Sequence, residues 1–150
     1  MAYSLSRGIS VMSIALLALA GCGDGNSGEP TAAEAGATLK EHITQLVEKV
    51  GASDVKVTDP GDKEIPCGDG KAKRTYGVTA TEGTGSGDSG AILLALVGAL
   101  DEVAEYDAVG GSNDAARREL ANGRHHTRII LESPGDRRIV VRGETSCLTP

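Results

Sequence analysis

The sequence contains no tryptophan and no phenylalanine, and three tyrosines are its only aromatic residues of the Phe, Trp and Tyr class. These are Tyr3, Tyr76 and Tyr106. Proteins that bind single-stranded nucleic acid, like many that bind sugars, stack rings against aromatic side chains. Such stacking platforms are nearly absent from this chain, which disfavours both classes of ligand.

Positive charge is also scarce, because 15 lysines and arginines face 21 aspartates and glutamates and leave a net charge of −6. Nucleic-acid phosphates require a positive protein surface, and anionic lipid headgroups attract basic segments rather than acidic ones. We therefore expect no nucleic-acid partner. Attachment to a membrane would have to come from something other than surface charge.

A long apolar run is missing as well. The N-terminal apolar stretch covers residues 9–19, whereas a helix needs about 20 apolar residues to span a bilayer. A short segment carrying Arg7, followed by an apolar stretch of this length, is typical of a signal peptide. A buried core helix is the alternative, but it is disfavoured because all these features occur together at the N-terminus. We expect residues 1–21 to be removed.

The apolar stretch ends in a distinctive motif, because residues 16–22 read Leu-Leu-Ala-Leu-Ala-Gly-Cys. This motif resembles the lipobox of bacterial lipoproteins. The resemblance implies that the Cys22 thiol carries a diacylglycerol and that the chain is cut just before Cys22. Two or more acyl chains give stable anchoring where one does not. The implied location is the extracytoplasmic face of the cell membrane, and the remaining 129 residues have a net charge of −7.

Two cysteines, Cys67 and Cys147, remain once Cys22 carries lipid. An even pair in an exported protein favours a disulfide. Closing a loop of about 80 residues would stabilise the fold by about 4 to 5 kcal/mol in the chain-entropy model. The alternative is two separate buried thiols. A metal or redox role is disfavoured because no second Cys or His lies at ligand spacing from either cysteine.

The surroundings of the cysteines carry a second resemblance. Residues 66–71 read Pro-Cys-Gly-Asp-Gly-Lys and residues 144–148 read Glu-Thr-Ser-Cys-Leu. Together with Cys22, this pattern is similar to that of small exported lipoproteins of actinomycetes. The activities of those proteins are mostly unassigned, so the resemblance implies export and anchoring rather than a reaction.

The predicted folded domain covers residues 31–150, because residues 23–30 are too polar to bury a core and are typical of a flexible tether. Thr31 and Glu34 match a capping box at a helix start, and Gly51 is a stop signal. The apolar residues at helical spacing between them are Leu39, Ile43, Leu46, Val47 and Val50.

A second helix is predicted after the Gly-rich loop at residues 82–90, and it ends near Asp107. Its apolar positions are Ile92, Leu93, Leu96, Val97, Leu100 and Val103. Residues 110–113 are a helix breaker, and residues 114–120 predict one or two helical turns. Alternating apolar residues predict strands around Val55 and Val57 and over residues 72–81, 125–133 and 137–145, with turns at residues 59–62, 122–123 and 133–136.

The element order αββαββ predicts an α+β fold. Its natural form is a two-layer sandwich in which two helices cover one face of a four-stranded, mainly antiparallel sheet. Both halves run helix, strand, a Pro-Gly-Asp turn with a basic residue (Lys63 or Arg137), then strand. This order suggests an internal repeat, and chance similarity stays open as the alternative.

The glycine-rich loop contains two weak motifs. Residues 85–90 match a dinucleotide-binding pattern, but the preceding strand alternates where a buried parallel strand would be apolar throughout. Residues 87–90 also resemble the segment around the nucleophile of trypsin-like serine proteases, which would make Ser89 a nucleophile. Such a serine needs a histidine base, and here the candidate histidines follow the serine in the chain, an order opposite to that of the family. The plainer interpretation is a flexible loop in which Asp88 or Ser89 caps the second helix.

Adjacent His125 and His126 would point to opposite faces of a strand, so one metal ion could not easily bind both. The basic clusters at residues 71–74 and 137–138 are typical of solvated strand faces. Together they could also form a patch for an anionic partner.

We therefore expect a non-enzymatic, membrane-anchored lipoprotein, without catalytic residues, metal or cofactor, that binds a protein or envelope component through its surface. The alternative is a carrier or sensor of a small apolar or lipid ligand held between sheet and helices, with Ala95, Gly98 and Ala99 lining the cavity. An enzyme using Ser89 or the histidines is the least favoured class.

Overall fold

The computed structural model describes residues 28–110 and 114–150. The predicted signal peptide, Cys22, most of the tether and residues 111–113 of the predicted breaker lie outside the described residues. The elements follow in the order α1 (Ala32–Lys49), β1 (Ser53–Asp59), β2 (Ile65–Gly68), β3 (Lys71–Lys73), β4 (Thr75–Thr81), α2 (Ser89–Asp101), β5 (Asp107–Ala108), β6 (Arg117–Asn122), β7 (Thr127–Gly135) and β8 (Arg138–Thr145).

Helix α1 begins at the predicted capping box. The Thr31 hydroxyl accepts a hydrogen bond from the Glu34 amide at 3.2 Å, and the Glu34 carboxylate accepts one from the Thr31 amide at 2.8 Å. These reciprocal bonds satisfy amides that the first helical turn leaves without partners. Gly51, with φ of 60°, follows the C-cap Val50 and lets the chain turn away from the helix. The prediction of this helix is confirmed.

Over residues 28–110 and 114–150 the fold is α+β, with two helices and a mainly antiparallel sheet, as predicted. The prediction of four strands is wrong, because the main sheet has six strands in the order β1-β4-β8-β7-β6-β5, and β2 and β3 form a separate two-stranded sheet. All neighbouring strands are antiparallel. Helix α1 packs on β4 and β8 and α2 packs on β7, so both helices cover the same face.

Three predicted elements differ from the structure. Residues 114–120 do not form helical turns, because β6 runs through most of them and pairs with β7. The predicted strand at residues 72–81 divides at Arg74 into β3 and β4. Helix α2 ends at Asp101, six residues before the predicted end at Asp107.

The β7–β8 hairpin turns at Asp136 and Arg137, whose φ values are 53° and 57°. Positive φ at both central residues is the geometry of a two-residue turn that matches the twist of the flanking strands. The predicted turn is confirmed, although β7 extends through Gly135. The similar Pro-Gly-Asp sequence at residues 60–62 does not close a hairpin in this way, because the β2–β3 hairpin follows it before β4.

Cys67 in β2 and Cys147 after β8 lie at disulfide distance, with their Cα atoms 6.1 Å apart. The same region is joined by two main-chain hydrogen bonds between Ala72 and Leu148, each 2.9 Å long. The amide of Ala32, at the start of α1, donates to the Thr149 carbonyl at 2.7 Å. The C-terminal segment therefore connects the small β2–β3 sheet to the first turn of α1.

Candidate functional site

Ser89 and the histidines do not come together in the structure. Ser89 is the first residue of α2, and the cap is Asp88, whose carboxylate accepts a hydrogen bond from the Ala91 amide at 2.7 Å. Helix α2 has 13 residues, so about 18 Å separate its two ends at 1.5 Å per residue. A cleft containing His125 lies at the far end, beside Asp101. The arrangement gives Ser89 no nearby histidine base at that site.

The carboxylate of Glu82 holds the start of the glycine-rich loop through hydrogen bonds. Glu82 is 6% exposed and accepts hydrogen bonds from the Thr84 amide, the Thr84 hydroxyl and the Gly85 amide. The Thr84 hydroxyl, followed by these amides and the guanidinium of Arg137, lowers the pKa of Glu82 below its usual value. The amide of Gly85, the first residue of the weak dinucleotide-like pattern, is therefore directed at Glu82.

His125 and His126 lie in the turn between β6 and β7, not on a strand as predicted. They still point in different directions. The His125 ring lies edge-on to the ring of His42, with centroids 5.2 Å apart, whereas His126 lies 3.9 Å from the Glu29 carboxylate. Among the described residues, no group of three or more His, Cys, Asp or Glu side chains is placed to hold a metal ion.

A buried polar chain lies next to His125. His42 Nδ1 and the Tyr106 hydroxyl are 2.9 Å apart, and the same hydroxyl is 2.8 Å from Thr127 Oγ1. The three residues come from α1, the segment after α2, and β7. Sequence reasoning missed this network because His42 and Tyr106 are 64 positions apart and no local pattern connects them. It joins three elements of the fold inside the core.

Burial lowers the pKa of His42 below its ordinary value, and a charged His125 would lower it further. Because the unfolded chain then binds a proton at His42 more readily than the folded chain, the contribution of neutral His42 to stability is fully present above about pH 6.5 and is lost as the pH falls through the lower folded pKa. We expect acidification from pH 7.5 to 5.5 to destabilise the wild type more than His42→Gln, by at most about 1.4 kcal/mol per pH unit.

Urea denaturation at several pH values measures this difference in slope. His126→Gln is the matched control, because His126 is a turn residue outside the buried network, and it should keep the wild-type slope. Equal acid sensitivity of the wild type and His42→Gln would contradict the assignment.

The basic clusters do not form a single patch. Lys73 pairs with Glu144 at 2.7 Å and Arg74 with Glu64 at 3.0 Å, while Arg137 lies 3.7 Å from Glu82. The clusters lie at opposite ends of the β4–β8 pair. Its paired residues run from Thr75 opposite Glu144 to Thr81 opposite Arg138, and these six residue steps span about 20 Å. The combined anionic-partner patch is therefore not formed.

The face of the sheet opposite the helices carries a network of ion pairs. Arg117 pairs with Glu132 at 2.9 Å and with Glu119 at 3.4 Å, and Arg128 pairs with Glu119 at 2.9 Å. Glu132 also accepts from Arg142. Cross-strand pairs of opposite charge stabilise a sheet. The three arginines and two glutamates of this network are thus paired with one another within the protein.

The exposed edge strand β1 is protected against further pairing. Val55 and Val57 are exposed there, but the strand also carries Asp54 with φ of 51°, Lys56 and two irregularities of register. Bulges and charges are the devices by which proteins block edge-to-edge association. The edge is therefore a poor template for an added strand.

Helix α2 has the most unusual surface. Residues 89–100 contain no charged side chain, and Leu94 on the outer side is 75% exposed. Its other exposed positions toward the same side are Gly90, Ala91, Ala95 and Gly98. A helix that is apolar all round is usually buried all round, whereas α2 is buried on the sheet side only. We call its exposed side the α2 ridge.

A cleft lies between α2 and the C-terminal end of α1; we call it the interhelical cleft, and it shares Ala91, Ala95 and Gly98 with the α2 ridge. It encloses about 540 Å³, within the range of small-molecule sites, about 300 to 1,000 Å³. Residues lining it include Val50, Ile92, Ala95, Gly98, Ala99 and Ile139. The structure thus brings together the three small residues predicted to line a cavity. These three residues lie between the two helices because of the way α2 packs on the sheet.

The mouth of the interhelical cleft carries an ion pair. Lys49 Nζ at the end of α1 lies 3.0 Å from Glu102 Oε2, just after α2, with side chains 39% and 71% exposed. An exposed pair of this kind contributes only about 0 to 1 kcal/mol. It can therefore open at little cost.

Comparisons with protein-family models, curated proteins and solved structures find no match for this chain. Within the described residues, neither helix has the length and apolarity needed to cross a bilayer. A functional proposal must therefore rest on the chain's own residues and geometry.

Proposed function

We propose that this protein is a membrane-anchored, extracytoplasmic lipoprotein without enzymatic activity that binds a protein or another envelope component through its surface. The lipobox-like sequence ending in Cys22 supports the anchor. The pair Cys67 and Cys147 at disulfide distance supports an oxidising compartment, since stable disulfides are rare in the cytosol. A tether of about nine residues reaches at most about 30 Å, so the domain would work close to the membrane surface.

The α2 ridge carries the binding part of the proposal. Its uncharged surface with Leu94 exposed is the kind of apolar patch that marks an interaction site. The open sheet face and the β1 edge are less suitable, because the arginines and glutamates of the sheet face pair with one another and the edge carries a lysine and register irregularities. A partner covering Leu94 would complete the burial that this apolar helix lacks.

One experiment in bacterial cells tests both parts, using a photoreactive amino acid at position 94 or, as the matched control, at Lys56 on β1. We expect the chain with an intact Cys22 in the membrane fraction, with an adduct from position 94 and none from position 56. We expect Cys22→Ser to be released into the medium, because its lipid anchor is lost.

The two arms fail separately. Continued membrane fractionation of Cys22→Ser would contradict the anchor. Equal labelling from both positions, or none from position 94, would contradict the α2 ridge as the contact surface.

The second candidate function is the carrier or sensor of a small apolar or lipid ligand. The interhelical cleft favours it, because it has the volume of a small-molecule site and is lined by apolar residues of α2 together with polar and charged groups such as Thr84, Lys49 and Glu102.

A further inference from the structure

We infer that the interhelical cleft binds a single-chain amphiphile with a zwitterionic head group, its apolar chain inside the cleft and its head at the Lys49–Glu102 pair. This inference rests on the second of the two proposed functions and names its ligand class. It does not depend on the α2 ridge having a partner.

The shape of the cleft sets the size of the ligand. Four parts of the chain form its walls: the end of α1, the loop organised by Glu82, α2 and β8. Four of the six α2 residues that line the cleft have no side chain larger than a methyl group: Ala91, Ala95, Gly98 and Ala99. The resulting space of about 540 Å³ suits one small molecule rather than a protein segment.

The floor of the cleft favours an apolar chain. Ile92 and Leu96 of α2 and Ile139 of β8 line the cleft from beneath but are at most 2% exposed, so the apolar surface open to a ligand comes from Val50 and the alanines of α2. Each methylene removed from water contributes about 0.8 kcal/mol, so several methylenes would supply most of the binding free energy. The one buried charge, Glu82, is not available to a ligand, because Thr84, Gly85 and Arg137 surround its carboxylate.

The mouth of the cleft decides the head group. Lys49 and Glu102 lie 3.0 Å apart, so a purely anionic head would sit beside the Glu102 carboxylate and a purely cationic head beside the Lys49 ammonium. A head with both charges can pair its phosphate with Lys49 and its ammonium with Glu102. One exposed ion pair is then replaced by two, with no uncompensated charge.

Isothermal titration calorimetry tests the site with three single-chain probes of equal chain length, used below their micelle concentrations: lysophosphatidylethanolamine, lysophosphatidylglycerol and an alkylamine. The protein is the mature chain with Cys22→Ser. We expect saturable binding at one site, tightest for lysophosphatidylethanolamine.

Filling the cleft should weaken this binding selectively. Ala95 is exposed, so Ala95→Phe adds a ring to the cleft without overpacking the core, and losing room for about two methylenes costs about tenfold in affinity. Ala37→Phe, on the exposed side of α1 outside the cleft, is the matched control and should bind as the wild type does. Circular dichroism confirms that each variant is folded.

The head-group assignment has its own variants. Lys49→Gln and Glu102→Gln should each weaken lysophosphatidylethanolamine by about two- to fivefold, the range of an exposed ion pair. Glu102→Gln should also strengthen lysophosphatidylglycerol. Equal affinity for all three probes would overturn the zwitterionic head group.

Absence of saturable binding, or wild-type affinity in Ala95→Phe, would overturn the site itself. Leu94→Glu separates this inference from the surface-binding proposal. Leu94→Glu should leave the affinity for amphiphile unchanged. If Leu94→Glu loses an envelope partner and the wild type binds no amphiphile, only the surface-binding function is supported.

Discussion

Removing the Cys67–Cys147 pair is expected to lower the free energy of unfolding by about 4 to 5 kcal/mol, because the unfolded chain regains the freedom of a loop of about 80 residues. This is a large fraction of the stability of a small domain, about 5 to 15 kcal/mol. Urea denaturation of the double variant Cys67→Ser/Cys147→Ser against the oxidised parent measures the loss. Both chains carry Cys22→Ser, so that no third thiol reacts.

Reductant provides the control. Dithiothreitol should shift the parent toward the double variant and leave the double variant unchanged. Identical unfolding of the oxidised and reduced parent would show that the two cysteines are not bonded.

Unfolding of the reduced protein should begin near the two cysteines. Ala32, Ala35, Ala72 and Leu148 form a small buried cluster apart from the main core, and the Cys67–Cys147 pair lies beside it. Elements with few buried contacts open at lower free energy than the core. Hydrogen exchange should therefore show the Ala72 and Leu148 amides losing protection first in the reduced protein.

The contact between α1 and β8 carries the second large effect. Leu39 is fully buried, and Leu39→Ala is expected to destabilise the protein by about 2 to 5 kcal/mol through lost burial and a cavity. Gly143 on β8 faces Leu39 so closely that an added Cβ would lie 2.5 Å from Leu39 Cδ1 and 3.0 Å from the Arg128 carbonyl oxygen. Gly143→Ala should therefore cost about 1 to 3 kcal/mol by overpacking.

A double-mutant cycle tests the contact. Gly143→Ala should cost less in the Leu39→Ala background, because the shortened side chain makes room, with an interaction energy of about 0.5 to 3 kcal/mol. Gly123→Ala is the matched control, since nothing lies within 4 Å of its added Cβ, and it should change stability by less than about 0.5 kcal/mol. Strict additivity of Leu39→Ala and Gly143→Ala would contradict the proposed packing.

Local patterns predicted several elements well. Helix α1 follows from the Thr31–Glu34 capping box and the spacing of Leu39, Ile43 and Leu46, because both signals lie within a few turns of one another. The β7–β8 hairpin follows in the same way from two alternating strands and a short turn. Each of these features is encoded by residues close in sequence.

Strand β6 was missed because its pattern is mostly polar. Only Leu120 and Asn122 are buried, while Arg117, Glu119 and Ala121 lie on the opposite face, where the arginine and glutamate form ion pairs. Pairing with β7 makes this segment a strand, and that pairing is a tertiary contact. Local propensity alone favoured a helix, which tertiary context overrides.

The features of the candidate site also fall into those encoded locally and those that depend on tertiary contacts. Composition and local spacing alone predict that α2 is apolar and rich in small residues, that Cys67 and Cys147 are available to pair, and that the N-terminus resembles a lipoprotein signal. The packing of the helices on the sheet places Lys49 beside Glu102 at the mouth of a cleft, leaves Leu94 exposed and connects His42 to Tyr106 and Thr127. These contacts join residues 21 to 64 positions apart, and such proximity arises from how the helices cross the sheet, which no local spacing specifies.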